Sequence, residues 1–379
     1  MEHIISKLYY MIFALISTWL IYEISKSYHR KRNYVKSNRN TITLDCTELY
    51  SLLLIIIVVL FCAFREIDYG VGGTDAYAYM MQFSQSIGTF SEQLIRFRGW
   101  EPLHAASLWI VRLFTDEYRV YLVIYYVVMS FFLIKYAKMV CLNKRWLLAT
   151  FALMLFFLNS FNTQRNIFAV FASFFILDKL LKKEHKKALV LILIIMGFHF
   201  SAAIWFVVFG ATMVIRYFKG NIKIKLVGYV LVSSLLSIMA LRMFPVIVDN
   251  TRLSVYLNSE SSFSIPMFLA WFMVMVFFLI YYREMKNYSE DVILLSIIYI
   301  SFLPMFIFQL QYAIMYRMML YTLPVLYIVL SEYLDFFSKK YGNYNLLNFV
   351  VNIMILIRIL PFIMAEEVGD IGTYSNVLF

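Results

Sequence analysis

Charged residues, cysteines and polar tracts are scarce in this sequence. Only 15% of its 379 residues are charged, against about a quarter in an average soluble domain, which excludes an ordinary soluble protein. The three cysteines, Cys46, Cys62 and Cys141, are scattered without CxxC spacing, so neither a disulfide framework nor a zinc site is indicated. The net charge is +11, but the basic residues lie in short loops between apolar runs, so we expect no nucleic-acid partner.

Long apolar runs occupy most of the chain. Hydrophobic residues make up 62% of it, and a helix of about 20 such residues crosses the ~30 Å hydrocarbon core of a bilayer. Runs near that length lie at about residues 8–24, 48–66, 118–137, 146–161, 166–181, 224–243, 267–283, 291–310, 313–334 and 345–363. The stretch 188–215 is too long for one helix, so we divide it into two that meet at GFHFS. The sequence predicts an all-α, polytopic integral membrane protein with about 12 transmembrane helices, forming a single membrane domain over residues 1–379.

Loop charges orient this topology, because lysine and arginine concentrate in cytoplasmic loops. Alternate connections carry HRKRNYVKSNR, KYAKMVCLNKR, KLLKKEHKK, RYFKGNIKIK, REMK and KK, and we assign them to the cytoplasm. Two long segments then lie on the outer face. Residues 65–117 contain amphipathic helices, and residues 244–266 form a more polar loop.

The first outer segment opens with a glycine-rich turn within FREIDYGVGGTDAYAYMMQF, residues 64–83. Gly72 and Gly73 would let the backbone approach a ligand closely, and Asp75 would bind sugar hydroxyls or act as a base. The alternative is that Asp75 and Thr74 only cap the following helix. The pattern GxxxxGK[ST] is absent, so this is not a phosphate loop.

Two arginines lie where topology does not require them. Arg165 sits in SFNTQRNIF between two apolar runs, and Arg317 sits about one turn into its helix in QYAIMYRMMLY. An ionised side chain at such a depth is costly unless it faces protein, water or an anionic ligand. The alternative is that each side chain snorkels to lipid phosphate.

Glu101 and His199 complete the polar candidates. Glu101 precedes Pro102 at a helix start, where the helix dipole favours a carboxylate and keeps its pKa low; that electrostatic role alone is the alternative reading. His199, in MGFHFSAAIW, could exchange a proton or hold a phosphate, or it could merely cap the hairpin. Asp75 and Glu101 could ligate a divalent metal, although no compact carboxylate motif is present; the sequence therefore leaves a metal open without indicating one, and it indicates no cofactor.

The order of these motifs carries a resemblance. REIDYGVGGTDAYAY, EPLHAASLW, SFNTQRNIFAV, FHFSAAI and RMMLY follow one another from about residue 60 to a short tyrosine-containing tail. In that order they resemble the EpsG family of Wzy-like polysaccharide polymerases. Two features depart from the family pattern: Arg165-Asn166 replaces a frequent Arg-Gln, and TYSNVLF replaces a C-terminal Pro-Tyr.

The resemblance implies a bacterial cytoplasmic-membrane enzyme that joins oligosaccharide repeat units carried on undecaprenyl pyrophosphate, for O-antigen, capsule or exopolysaccharide. Its implied partners are that lipid-linked substrate, the bilayer and other export or chain-length proteins. The positions that match the family's polar motif residues are Arg65, Gly73, Thr74, Asp75, Arg165, His199 and Arg317. The active site is expected on the outer face of the membrane, as in GT-C glycosyltransferases.

Such a reaction needs cations for the pyrophosphate and one proton acceptor. Arginine stays charged and binds phosphate bidentately, so Arg65, Arg165 and Arg317 are the predicted pyrophosphate ligands. Asp75, His199 and Glu101 compete as the catalytic base. We place Asp75 ahead of His199, because nearby arginines would disfavour a charged imidazolium.

Two other classes remain open at this point. A lipid-linked oligosaccharide flippase or other transporter would place charges along a path near the bilayer midplane, often with repeated halves, and no repeat is visible here. A membrane O-acyltransferase acting on glycans would use His199 as its base. It would also need a cytoplasmic entry for the acyl donor, and the predicted cytoplasmic loops are short.

Overall fold

The computed structural model describes residues 2–36, 46–68, 73, 75–96, 101–140, 142–217, 219–248, 265–309, 316–342, 349–353 and 355–356. Within these ranges the regular secondary structure is helical, with no strand. The described residues contain seven helices that are long and apolar enough to cross a membrane, and the apolar helix Thr47–Cys62 is shorter. The predicted all-α, polytopic membrane fold is therefore confirmed. The count of 12 crossings includes shorter helices and stays a prediction.

The chain divides into two compact units, the first made of residues 1–200 with 345–379 and the second of residues 201–344. The helices of the first unit are α1 Glu2–Lys36, α2 Thr47–Cys62, α3 Ala76–Ser84, α4 Phe90–Arg96, α5 Pro102–Arg112, α6 Tyr118–Met139, α7 Leu147–Phe157, α8 Gln164–Leu181 and α9 His185–Phe198. The short helices α3, α4 and α5 fall in the segment predicted as amphipathic and outward-facing. Which side of the membrane they occupy stays a prediction.

An aromatic seam between α6 and α8 organises the first unit. Aromatic residues of α6 recur at helical spacing, and Tyr125 and Phe132 both face α8. Tyr125 meets Phe168 with ring centres 5.6 Å apart, and Phe132 meets Phe175 at 5.9 Å. From the first pair to the second the residue numbers rise on both helices, so α6 and α8 run parallel. The first turn of α8 therefore lies beside the start of α6.

The helices of the second unit are α10 Ile204–Tyr217, α11 Ile222–Val248, α12 Ile265–Tyr288, α13 Glu290–Ile300, α14 Leu303–Gln309, α15 Tyr316–Met319 and α16 Thr322–Tyr341. The predicted division of 188–215 at GFHFS is confirmed, because α9 ends at Phe198 and α10 begins at Ile204. Residues 249–264, most of the predicted second outer loop, lie outside the described residues.

A proline explains why one predicted crossing is split into α13 and α14. Pro304 has no N–H to donate to the carbonyl of Ile300, four residues earlier. The indole Nε1 of Trp271 donates to that carbonyl at 3.0 Å instead. The hydroxyl of Tyr229 donates to the next carbonyl, that of Ser301, at 2.7 Å. Both freed backbone acceptors are thus satisfied, as a low-dielectric interior requires.

Candidate active site

The carboxylate of Glu101 bridges two basic side chains in the first unit, and we call this group the ionic cluster. Oε2 of Glu101 accepts a hydrogen bond from Nη1 of Arg165, and Oε1 contacts Nδ1 of His199. Glu101 immediately precedes α5, Arg165 lies in the first turn of α8, and His199 follows the last residue of α9. Glu101 and His199 each expose only 8% of their surface. Three helix ends therefore converge on one buried ionic cluster.

Glu101 stands at the N-cap position of α5 without capping it. Its backbone angles are φ −134° and ψ 65°, and its side chain makes no cap hydrogen bond. Burial opposes ionisation of the carboxylate, but the hydrogen bond with His199 and the charge of Arg165 outweigh it and lower the pKa of Glu101 to about 2. The low pKa agrees with the sequence expectation, and its causes in the structure include His199 and Arg165.

His199 reaches Glu101 because α9 approaches α5 closely. A Cβ at Gly197 would lie 2.7 Å from Cγ of Leu103, so the absence of a side chain there allows the two helices to meet. At His199 the backbone turns extended, with φ −156° and ψ 122°, which ends the helix. Since its imidazole is held by Glu101, His199 does more than cap a hairpin.

Arg165 is bound by two protein side chains, and its own side chain is 19% exposed. Its guanidinium hydrogen-bonds with Tyr79 of α3 as well as with Glu101, and Cζ lies 5.7 Å from the centre of the Tyr79 ring. The Nε of Arg165 is buried and has no hydrogen-bond partner among the described residues. A buried donor without a partner costs free energy. This edge of the guanidinium is therefore suited to an additional acceptor.

The residue before Arg165 is fixed by two tyrosines of α6. The hydroxyl of Tyr118 donates to Oε1 of Gln164 at 3.0 Å, and that of Tyr125 donates to the backbone carbonyl of Gln164 at 2.8 Å. Gln164 is 1% exposed, and its Nε2 has no hydrogen-bond partner within the described part of the chain. The first turn of α8 thus presents a second unused donor beside Arg165.

The glycine-rich turn is docked against the segment that precedes α8. Gly73 has φ +120°, and a Cβ there would lie 2.5 Å from the carbonyl oxygen of Phe161. Only glycine fits that close backbone approach. The backbone N–H of Asp75 donates to Oδ1 of Asn162 at 2.8 Å. Sequence reasoning expected these glycines to admit a ligand, whereas Gly73 admits the protein's own backbone.

Asp75 occupies the N-cap position of α3, but its carboxylate does not cap the helix. The half-buried side chain makes no hydrogen bond or ion pair with any described residue. Helix capping, the alternative reading of Asp75, is therefore not supported. Gly72 and Thr74, the other predicted members of the turn, lie outside the described residues.

Arg65 is the most buried of the predicted pyrophosphate ligands, at 1% exposure. It donates to the backbone carbonyl of Cys62 and, at 3.2 Å, to the hydroxyl of Tyr126. Its Cζ lies 4.2 Å from the centre of the Phe161 ring, a cation–π contact. In this conformation Arg65 braces Phe161, on which Gly73 docks, and its contact with pyrophosphate stays a prediction.

Arg317 belongs to α15 of the second unit and is partly exposed. The three residues Glu101, Arg165 and His199 all belong to the first unit. The expected joint anion site of Arg165 and Arg317 therefore remains a prediction.

A cavity of 190 Å³ adjoins the cluster. Its polar lining includes His104, Gln164 and Arg165, and its apolar lining includes Val128 and Phe168. Drug-sized ligands usually occupy about 300–1,000 Å³, so this cavity has room for only part of a large substrate. Polar groups of two helix starts therefore line the same space as apolar side chains of α6 and α8.

His104 is a member of the cluster that sequence reasoning did not select. It is 4% exposed, lies on the first turn of α5 and lines the cavity. Burial, assisted by the nearby positive charge of Arg165, lowers the pKa of His104 to about 3. Its spacing, three residues after Glu101, places both on one helix face and was the available signal. For Gln164 the sequence offered no signal other than its position next to Arg165.

Metal ligation remains an open expectation for Asp75 and Glu101. Among the described residues no three His, Cys, Asp or Glu side chains are grouped as metal ligands. The arrangement that is present pairs one carboxylate with one guanidinium and one imidazole.

These features define a polytopic membrane protein with a buried ionic cluster at three helix ends. Residues 49–369 match the EpsG family, and the chain belongs to this family of Wzy-like polysaccharide polymerases. Comparisons with curated proteins and with solved structures gave no match.

Proposed function

We propose that this protein joins oligosaccharide repeat units carried on undecaprenyl pyrophosphate at the outer face of the bacterial cytoplasmic membrane. Membership of the EpsG family supports polysaccharide polymerisation in general. The proposal of a lipid-pyrophosphate substrate rests on the guanidinium of Arg165. Its Nη1 binds Glu101, and its buried Nε has no hydrogen-bond partner among the described residues. A pyrophosphate oxygen is a suitable acceptor for that donor.

The reaction is a transfer between two lipid-linked glycans. A hydroxyl oxygen at the non-reducing end of the acceptor forms a bond to the anomeric carbon of the donor glycan. The bond from that carbon to the pyrophosphate oxygen breaks, and lipid pyrophosphate leaves with the electron pair. The hydroxyl proton passes to a base on the protein. The leaving group is already anionic, so cations matter more than a general acid.

Arg165 and Gln164 would bind the pyrophosphate. Glu101 and Tyr79 fix the guanidinium of Arg165, so little side-chain entropy remains to be lost on binding. Gln164 lines the same cavity, and its Nε2, which has no hydrogen-bond partner among the described residues, would donate to a second oxygen. Arg65 and Arg317 remain candidate contributors.

The apolar end of the cavity suits the first part of the lipid. Ile124 and Val128 line it from α6, a helix that is long and apolar enough to span the membrane. Ile124 is also 46% exposed on the outside of the first unit. An isoprenoid chain entering beside Ile124 would place its pyrophosphate near Arg165.

Asp75 is the proposed proton acceptor. Its carboxylate neither caps α3 nor pairs with a described residue, so it would be available to a sugar hydroxyl. Glu101 is a poor base, because its pKa of about 2 leaves little driving force for proton uptake. His199 is the competing candidate, and its contact with Glu101 orients its imidazole.

The test is chain growth by the purified full-length protein, reconstituted in liposomes with a synthetic lipid-pyrophosphate repeat unit. We expect a ladder of longer products from the wild type. Arg165→Lys should abolish most of it, while Arg145→Lys in the Lys144–Trp146 turn serves as a matched control with normal growth. Movement of the lipid-linked substrate across the bilayer without any ladder would refute the polymerase and support a flippase. Acylated but unextended products would support the acyltransferase.

A further inference from the structure

A strongly basic pocket lies in the second unit, between the end of α10 and the start of α11. Its volume is 700 Å³. Among the described residues, five cationic side chains and no acidic one line it: Arg216, Lys219, Lys223, Lys225 and Arg283. Such a concentration of positive charge in a small concave space is costly without anions nearby.

Part of this charge has no ion-pair partner among the described residues. Arg216 pairs with Glu290. Lys219, Lys223 and Arg283 have no ion-pair partner among the described residues. The pocket therefore keeps a positive potential that an external anion would reduce.

An apolar groove begins at the same lysines. It has a volume of 730 Å³ and lies between α10, α11 and α14. Lys219 and Lys225 line both the groove and the basic pocket. Beyond them the lining is mainly apolar and includes Val214, Val232 and Leu236. The two spaces together form one concave surface with a cationic end and an apolar body.

We propose that this surface binds an anionic phospholipid, with the headgroup phosphate at Lys219 and Lys225 and an acyl chain along α11. The proposal is independent of the polymerase reaction. A helix rises about 1.5 Å per residue, so Lys225 to Leu236 spans about 16 Å. One leaflet of a ~30 Å hydrocarbon core is about 15 Å deep. The groove thus matches the depth of a single leaflet.

Two simpler explanations account for only part of the surface. Basic loops fix membrane orientation through their charge, but that role requires no apolar groove. A soluble phosphate ion would be attracted to the basic pocket, but it would gain nothing from Val232 or Leu236. A phospholipid uses both ends, because basic pockets between membrane helices bind anionic headgroups and burial of methylene groups stabilises the bound chain.

One glycine allows the groove to be filled without damage to the fold, and a second glycine supplies the control. Gly228 of α11 lines the groove, and a Cβ there would meet no atom within 4 Å. Gly210 of α10 is equally open but does not line the groove. Leucine is also a better helix former than glycine. Gly228→Leu should therefore block the acyl chain, and Gly210→Leu is its matched control.

The experiment is native mass spectrometry of the purified full-length protein with phosphatidylglycerol or phosphatidylcholine added at equal concentration. We expect the wild type to retain phosphatidylglycerol preferentially. The double variant Lys219→Ala/Lys225→Ala should lower that retention about tenfold, and Gly228→Leu by a similar factor, while Gly210→Leu retains it normally. Lys144→Ala/Arg145→Ala, in another predicted cytoplasmic loop, controls for general loss of charge.

Several results would overturn the proposal. Equal retention of the two lipids by the wild type would remove headgroup selectivity. If Gly228→Leu retains phosphatidylglycerol normally while the lysine double variant does not, the headgroup is attracted but no acyl chain occupies the groove. Displacement of phosphatidylglycerol by millimolar inorganic phosphate, or by an equal amount of a polyprenyl phosphate, would identify a different anion.

Discussion

Replacement of Gly73 by alanine should strongly reduce chain growth, although Gly73 lies outside the ionic cluster. The added Cβ would lie 2.5 Å from the carbonyl oxygen of Phe161, whereas a relaxed C···O contact is about 3.3 Å or longer. The obstacle is backbone, so the turn must shift by about 0.8 Å. The 2.8 Å bond from the Asp75 N–H to Asn162 would then exceed hydrogen-bonding length.

The magnitude combines two costs. A non-glycine residue at φ +120° costs about 1–3 kcal/mol of backbone strain, and the lost hydrogen bond about 1 kcal/mol. We therefore expect stability to fall by about 2–4 kcal/mol. Because Asp75 moves with the turn, activity should fall further, by about 100-fold for a displacement near 1 Å.

The assays are ladder formation and thermal unfolding in the same detergent, compared with two controls. Gly220→Ala shares the backbone strain at φ +123°, but its Cβ meets no atom within 4 Å, so it should retain activity. Asn162→Ala removes the acceptor without strain and should cost about 1 kcal/mol of stability. If the Gly73→Ala protein has wild-type stability and chain growth, the site does not require the docking of this turn.

Four further variants address the ionic cluster and the candidate base Asp75. Arg165→Lys keeps the charge but loses the planar fork, so ladder formation should fall at least about tenfold, and normal growth would exclude bidentate pyrophosphate binding. Asp75→Asn should abolish growth at every pH, whereas His199→Gln should keep measurable activity; the reverse outcome would make His199 the base. Burial lowers the pKa of His104 to about 3, below its unfolded value of about 6.5, so the unfolded state binds more protons and stability declines as pH falls from 6.5 towards 3. His104→Gln should make the loss of stability with falling pH less steep. The measurement is thermal unfolding between pH 6.5 and 4.5, which lies above the range where Glu101 titrates. An unchanged dependence of stability on pH would assign the decline to other groups.

Much of the fold was accessible to sequence reasoning because the bilayer imposes a length on apolar runs. The division at GFHFS could be read from a run too long for one helix. The break at Pro304 was missed inside a predicted crossing, although proline predicts the loss of one helical bond. Its repair by Trp271 and Tyr229 depends on tertiary packing, which local patterns do not encode.

Individual residues of the site could be selected from the sequence, but their arrangement in space could not be predicted. Glu101, Arg165 and His199 were each selected because an ionisable group beside apolar runs needs an explanation. Their pairing joins residues 64 and 98 positions apart, which no helical spacing reveals. Arg65 shows the converse difficulty: its sequence context indicates an outer helix end, whereas packing places it among aromatic rings.

Glu101 connects anion binding to the basicity of His199. Both of its oxygens are engaged, one by Arg165 and one by His199, so its charge is shared between two cations when the imidazole is protonated. A pyrophosphate at Arg165 would draw the guanidinium towards itself and leave more of the carboxylate's charge to His199. Asp75 keeps the advantage of a carboxylate that is unpaired among the described residues, so it is the proposed base and His199 is its competitor.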